Sequence, residues 1–317
     1  MNVLPTIRHL IATDVDELTE KVHSLQWQID YTQLEQGPFQ AEVLTYQWPD
    51  IQLIRVQYSR AIRSLGIKPP GKVAIVIALS APLGWRWHNY ELTGDQVVLQ
   101  TASQGIDHCR WGDFPLAIVL FSLEELLAIA AKMKEMAVVE QLSGTNYVLS
   151  PPAPLLRKFR QLLARVFQAT EQKTNLEFFC QSYPHLHRAI IVQLFALLSA
   201  PSIPVKSFYR HQLVKQAENL VREIGDRPWT VYDLCQQLHV SERTLRYGFQ
   251  EIFGIGPKAY LQTHRLHGVR RQLKLTSPGE TTVMAIAYQW GFWHLGQFSQ
   301  DYKKMFGELP SVTLNRP

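Results

Sequence analysis

Cysteine is scarce and scattered: the 317 residues hold three, Cys109, Cys180 and Cys235. They are too few and too far apart for a disulfide scaffold, and no Cys-x-x-Cys pair suggests a metal site. No apolar run approaches the ~18–20 residues a membrane-spanning helix needs. The opening stretch, MNVLPTIRHLIATDVDEL, lacks the basic-then-apolar pattern of a secretory signal. These absences point to a reducing cytoplasm. Walker A, dinucleotide-binding and Gly-x-Ser-x-Gly patterns are also missing, which leaves nucleotide-binding and hydrolase readings without support.

What is present is unevenly distributed. The net charge is +5, but residues 1–150 hold 11 Lys/Arg against 16 Asp/Glu, residues 151–205 hold 6 against 2, and residues 206–317 hold 15 against 9. A basic C-terminal third suits phosphate-backbone binding, although charge alone does not separate it from an ordinary surface.

Residues 1–140 read mostly as strands. Runs such as Gln52–Tyr58, Lys72–Leu79, Gln96–Gln100 and Leu116–Phe121 are cut by turn signals, among them Gln36-Gly37-Pro38 and Thr93-Gly94-Asp95. That spacing predicts a small β-barrel or sandwich. Helices are expected near Asp14–Leu25 and from Leu123 to about Glu140. A stiff Ser150-Pro151-Pro152-Ala153-Pro154 break precedes helices over Leu155–Thr170 and Leu186–Leu198. The expected organisation is a β-rich sensor over 1–140, a helical linker or dimerisation segment over 151–204, and an all-α domain over 205–317.

The strongest signal is an internal repeat. Thr230, Val231, Leu234, Cys235, Leu238 and Val240 correspond to Thr282, Val283, Ile286, Ala287, Trp290 and Phe292, offset by 52. After one inserted residue, Leu245, Phe249, Ile252, Phe253, Gly254 and Pro257 correspond to Phe298, Tyr302, Met305, Phe306, Gly307 and Pro310, offset by 53. Each copy reads as a Thr-capped helix, a tight turn at His239 or Gly291, a second helix with its apolar stripe at i, i+4, i+7, i+8, and a glycine stop. This is helix-turn-helix patterning, in which the second helix enters the major groove. Its outward face in the first copy carries Ser241, Arg243, Thr244, Arg246, Tyr247 and Gln250. Arginine can pair with guanine and glutamine with adenine. The second copy offers His294, Gly296, Gln297 and Gln300, polar but uncharged, which predicts looser readout. Between the copies, Pro257–Leu275 reads as a rigid connector. Thr230, Arg270, Arg271, Thr282 and Lys303 are expected at the duplex backbone, with Arg265 and Lys274 as further cations of the connector.

These residues resemble the DNA-binding domain of the AraC/XylS family. VSERTLRYGFQEIFGIGPKAYLQTHRL and TTVMAIAYQWGFWHLGQFSQDYKKMFGELP contain the Ser-x-x-x-Leu-x-x-x-Phe helix, the Gly-x-x-Pro after it, Arg265-Leu266, and Ile-Ala-x-x-x-Gly-Phe. The resemblance covers about residues 207–312. It implies a bacterial regulator of α+β class: an N-terminal cupin-type, β-barrel-like effector domain, a helical linker and a C-terminal double helix-turn-helix. Expected partners are double-stranded DNA, RNA polymerase, a small-molecule effector and a second copy of the chain, for an activator or a repressor. Gln300 and Gly296 stand where many relatives have arginine and serine.

The N-terminal region is quieter. Trp85 and Trp87 alternate on one apparent strand, so they share a face and could line an effector pocket, with Trp27, Trp48 and Trp111 as additions. Core packing is the competing use. A barrel metal centre would need His-x-His with further ligands. The strand region offers only His88 near Glu91 and His108 beside Cys109, and the one His-x-His, His185-Leu186-His187, lies outside it. No metal, cofactor or catalytic set is expected. A metal-dependent enzyme and an architectural DNA binder without effector are the alternatives.

Overall fold

The computed structural model describes residues 5–80, 85–88, 90–101, 105–144, 147–171, 183–204, 209–223, 228–277 and 279–315. Cys180 and Gly225 lie outside them.

The N-terminal part is built on two antiparallel sheets. In chain order the strands are β1 (Thr6–Ala12), β2 (Gln28–Gln33), β3 (Ala41–Gln47), β4 (Ile51–Tyr58), β5 (Ile62–Ile67), β6 (Lys72–Ala78) and β7 (Trp85–Trp87). Then come β8 (Tyr90–Leu92), β9 (Val97–Gln100), β10 (Ile106–Arg110), β11 (Leu116–Ser122), β12 (Tyr147–Leu149) and β13 (Ser202–Pro204). One sheet has the order β1-β3-β4-β11-β6-β9-β12-β13, the other β2-β5-β10-β7-β8. They are separate sheets facing each other, so the barrel-like expectation resolves to its sandwich form.

The facing sheets enclose a core of Ile29, Val56, Val76, Trp85, Trp87 and Ile106 among others. The outer face of the larger sheet, with Leu53, Ile75, Ile77 and Val119, is covered by helices. Both faces of β6 are therefore buried, which is why KVAIVIA reads as an unbroken apolar run and not an alternation. The covering helices are α2 (Leu123–Lys132), α3 (Met136–Ser143), α4 (Ala153–Glu171) and α5 (Tyr183–Leu198). Phe159 and Leu163 of α4 and Leu194 and Leu198 of α5 join the sheet core. The segment expected as a linker or dimerisation element over 151–204 is thus packed into the N-terminal layers, and its end pairs as β13 with β12. The single helix expected over 123–140 is two helices. Lys134 takes a left-handed backbone (φ +62) and Glu135 N donates to Ala130 O, a Schellman stop.

The remaining helices are α1 (Val15–His23), capped by Asp14, then α6 (Tyr209–Glu223), α7 (Val231–Leu238), α8 (Glu242–Phe253), α9 (Pro257–Leu275), α10 (Val283–Gln289), α11 (Leu295–Phe306) and α12 (Pro310–Leu314). The first unit buries Leu234, Leu245, Phe249 and Ile252 against Val214 and Ala217 of α6. The second buries Ile286, Ala287, Phe298 and Tyr302 against Leu266 and Val269 of α9. Layers therefore run from covering helices through the larger sheet and the smaller sheet to the C-terminal helices.

One packing contact reverses an ordinary preference. Gly268 lies inside α9, where alanine would normally stabilise by up to about 1 kcal/mol. A Cβ there would fall 2.1 Å from Trp290 Cη2. The indole would have to leave its seat and the 2.8 Å hydrogen bond that Trp290 Nε1 donates to Gln272 Oε1. Gly268→Ala should destabilise by roughly 1–3 kcal/mol in urea unfolding; a gain in stability would mean that the indole shifts freely.

Candidate nucleic-acid interface

Each helix-turn-helix is built from local signals. Thr230 caps α7 in a reciprocal capping box with Asp233, and Thr282 caps α10 by accepting from Ala285 N. The turns close alike: Val240 N donates to Cys235 O with His239 left-handed (φ +54), and Phe292 N donates to Ala287 O with Gly291 left-handed (φ +75). The expected turn slots are therefore occupied as the repeat implied. α8 and α11 both end on left-handed glycines, Gly254 and Gly307.

The outward face of α8 presents Arg243, Arg246, Tyr247 and Gln250 to solvent, with Thr244 half-buried. Arg243 and Arg246 lie 5.4 and 5.9 Å from the centre of the Tyr247 ring, so the aromatic organises both cations. Ser241 is exposed but its hydroxyl caps α8, accepting from Thr244 N at 3.2 Å. Gln250 Nε2 donates to Gly254 O. On α11, His294, Gly296, Gln297 and Gln300 are exposed, and so are Thr230, Thr282 and Lys303. Gln297 donates to Asp301, which also accepts from Gln262 of α9. The second face thus carries an acidic group near its amides where the first carries two arginines.

Arg270 is placed otherwise than expected. Its side chain is buried between Asp14 (3.8 Å) and Glu308 (3.0 Å) and lies over the Phe306 ring. Lys274 pairs with Asp14, and Arg271 lies 3.7 Å from Asp16 with half its side chain exposed. Arg265 sits over the Phe292 ring. The connector's cations face α1 and the second unit, because acidic N-terminal side chains are held against them in the same chain. Burial pushes the Asp14 carboxyl up, but the backbone hydrogen bond from Glu17 and the Lys274 ammonium outweigh it, and the result lies below the usual carboxylate value.

Both reading helices dock on the sandwich by their C-terminal ends. Trp111 Nε1 donates to Phe253 O, Arg86 lies 3.9 Å from Glu251, and Gly37 N donates to Met305 O. Their N-terminal ends are the ones directed away from the sheets. Sequence patterning had no means to show this polarity. Two exposed aromatics beside the second turn, Tyr288 and Trp293, stack at 5.7 Å and were not among the expected contacts.

Between the sheets a cavity of about 50 Å³ is lined by Trp27, Tyr31, Tyr58, Trp87, Gln100 and His108, with apolar neighbours. Trp87 is on its wall. Trp85 is buried nearby with Nε1 3.4 Å from Thr93 O, outside the lining. Trp48 belongs to the opposite face of the larger sheet and Trp111 to the domain junction. Burial pushes His108 down to about 3, so it stands neutral beside the cavity.

A family model described as a helix-turn-helix domain matches residues 234–316. The "Probable thc operon regulatory protein" of Rhodococcus erythropolis is 34% identical over 102 residues, 32% of this chain and 31% of its own length. The XylDLEGF operon transcriptional activator of Pseudomonas putida is 35% identical over 99 residues, 31% of this chain and 29% of its own. The chain thus covers less than a third of either relative. A solved structure of a "probable AraC family transcriptional regulator" from Rhodopseudomonas palustris is 36% identical over 33% of this chain and 99% of that one, with a TM-score of 0.31. The duplicated units on one connector and the family match define a double helix-turn-helix DNA-binding domain. Over that domain the chain is similar to regulators of the AraC/XylS type. Among the described residues no helix is long and apolar enough to cross a membrane.

Proposed function

We propose that the protein is a sequence-specific transcription regulator of the bacterial cytoplasm, an activator whose N-terminal sandwich senses a small molecule and whose C-terminal domain reads DNA. The observation that carries this reading is the polarity of α8 and α11. Both are anchored at their C-terminal ends, which frees the N-terminal halves that make base contacts in helix-turn-helix complexes. On a duplex the two helices would enter successive major-groove segments, about 34 Å apart. Arg243 and Arg246 supply the sharper readout, while Gln297 and Gln300 read loosely. RNA polymerase and a second copy of the chain are the further partners of this reading.

The cavity lies on the far side of the strands that dock the DNA-binding domain. Ser64 and His108 face it, whereas their neighbours Arg63 and Asp107 face α6. A free volume of about 50 Å³ is well below the ~300 Å³ of ordinary ligand pockets. A ligand must therefore part the sheets, and β5 and β10 would carry that movement to the docking surface as a population shift.

Selection of bound duplexes from a random pool, with and without a metabolite extract, tests the reading and yields the operator. On the selected site Arg246→Ala should cost about 1–3 kcal/mol and relax one base step. Gln300→Ala should cost less. An equal loss for Arg246→Ala on random duplex would assign that arginine to phosphate, and a larger loss for Gln300→Ala would reverse the ranking of the helices.

A further inference from the structure

Three polar side chains meet where the sandwich and the DNA-binding domain touch. His88 stands at the turn between β7 and β8, Asp107 on the outer face of β10, and His211 in the first turn of α6. One donor atom from each lies within 4.8 Å of the others. His211 Nε2 is 2.9 Å from Asp107 Oδ2. The contact lacks hydrogen-bond geometry, however, and among the described residues those two atoms and His88 Nε2 have no hydrogen-bond partner. Asp107 and His211 are only 2% and 5% exposed. Leaving such groups unsatisfied in a buried place is costly, and their convergence points to a ligand between them.

We propose that His88, Asp107 and His211 form a binding site for a divalent transition ion of the zinc type, which staples the DNA-binding domain to the smaller sheet. The donor chemistry suits it. Two imidazoles and one carboxylate are a borderline nitrogen and oxygen set, and three protein ligands leave one position for water. Two buried carboxylates, Asp107 and Glu218, share the single guanidinium of Arg63. Arg63 engages Asp107 Oδ1 and leaves Oδ2 directed at the histidines. The backbone N–H of His88 donates to Asp107 O at 2.6 Å, which fixes the turn relative to β10. Burial alone would raise the Asp107 carboxyl, but Arg63 overrides it and holds the group ionised.

The site lies outside the sandwich interior, on the face of β10 opposite the cavity. Because two ligands come from the sheets and one from α6, the ion binds the docked arrangement alone and stabilises it by mass action.

Chelator-treated full-length protein titrated with Co2+ tests this through the visible d–d absorption of the bound ion. The expected result is a band that saturates at one equivalent and is displaced by Zn2+. The band should be lost in His211→Gln and in His88→Gln, with the fold of each variant checked by near-UV circular dichroism. Zn2+ should raise the thermal midpoint of the parent protein and leave both variants unmoved. Absence of a one-equivalent band, or a band that survives both substitutions, would overturn the proposal.

Discussion

Arg63→Met is expected to destabilise the protein by about 3–5 kcal/mol, because it strands two buried carboxylates. Arg63 is 1% exposed, with its guanidinium between Asp107 of β10 and Glu218 of α6 and its centre 5.4 Å from the Phe253 ring. Glu218 is wholly buried and, among the described residues, keeps the 3.0 Å hydrogen bond from Tyr260 once the guanidinium is gone. A buried ion pair gains little on net, since desolvation offsets the attraction, yet removing one partner exposes the full penalty of the other. The argument sets a rank order. Glu218→Gln removes a charge without stranding one: Arg63 and Asp107 remain a pair, and the amide oxygen can still accept from Tyr260. It should cost only about 1–2 kcal/mol, near the value of an ordinary hydrogen bond with its desolvation. Urea unfolding of the two variants measures both. A cost for Glu218→Gln above that for Arg63→Met would show that the glutamate, and not the guanidinium, holds the junction.

The junction also changes the meaning of the charge distribution. An acidic first half and a basic last third suggest a DNA-binding domain whose cations await phosphate. Part of that surplus is used within the chain, where Asp14 and Asp16 face Lys274, Arg270 and Arg271. The arginines of α8 stay exposed. Composition counts charges, whereas their availability to a ligand depends on which side chains the fold brings opposite them.

What was legible follows from how local each signal is. The caps at Thr230 and Thr282, the left-handed turns at His239 and Gly291, and the helix stops at Gly254 and Gly307 each rest on a few consecutive residues, and the repeat states them twice. The connector was readable to its ends because Pro257 opens it. Strands with one or both faces apolar, such as β4 and β6, showed through their pattern. β10 did not. Ile-Asp-His-Cys-Arg is buried at every position, with Ile106 and His108 facing the cavity side and Asp107 and Cys109 facing the DNA-binding domain. A strand covered on one side by a polar interface loses the alternation that would reveal it. The break after α2 was hidden because a lysine, not a glycine, takes the left-handed position. His88 and Asp107 were visible only as scattered polar residues, since their partner His211 arrives from another domain and no local spacing links the three.

The duplicated units offer a last test of how unequal the two copies are. Phe253 and Phe306 occupy the same place in the repeat, at the end of their reading helices. Phe253 is fully buried, stacked on Tyr260 at 4.6 Å, edge-on to Phe249 at 5.3 Å and beneath Arg63. Its truncation opens a cavity that the helix, pinned through its own carbonyl to Trp111, cannot relax to fill. Phe253→Ala should therefore cost about 3–5 kcal/mol, the range for a buried phenylalanine in a rigid site. Phe306 is only half-buried, between Tyr302, His267 and the Arg270 guanidinium. Less buried surface is lost on its removal, and solvent can enter the gap, so Phe306→Ala should cost roughly 1–2 kcal/mol by transfer of the buried part alone. Chemical denaturation of both variants gives the comparison. Equal costs would mean that the second unit is packed as rigidly as the first.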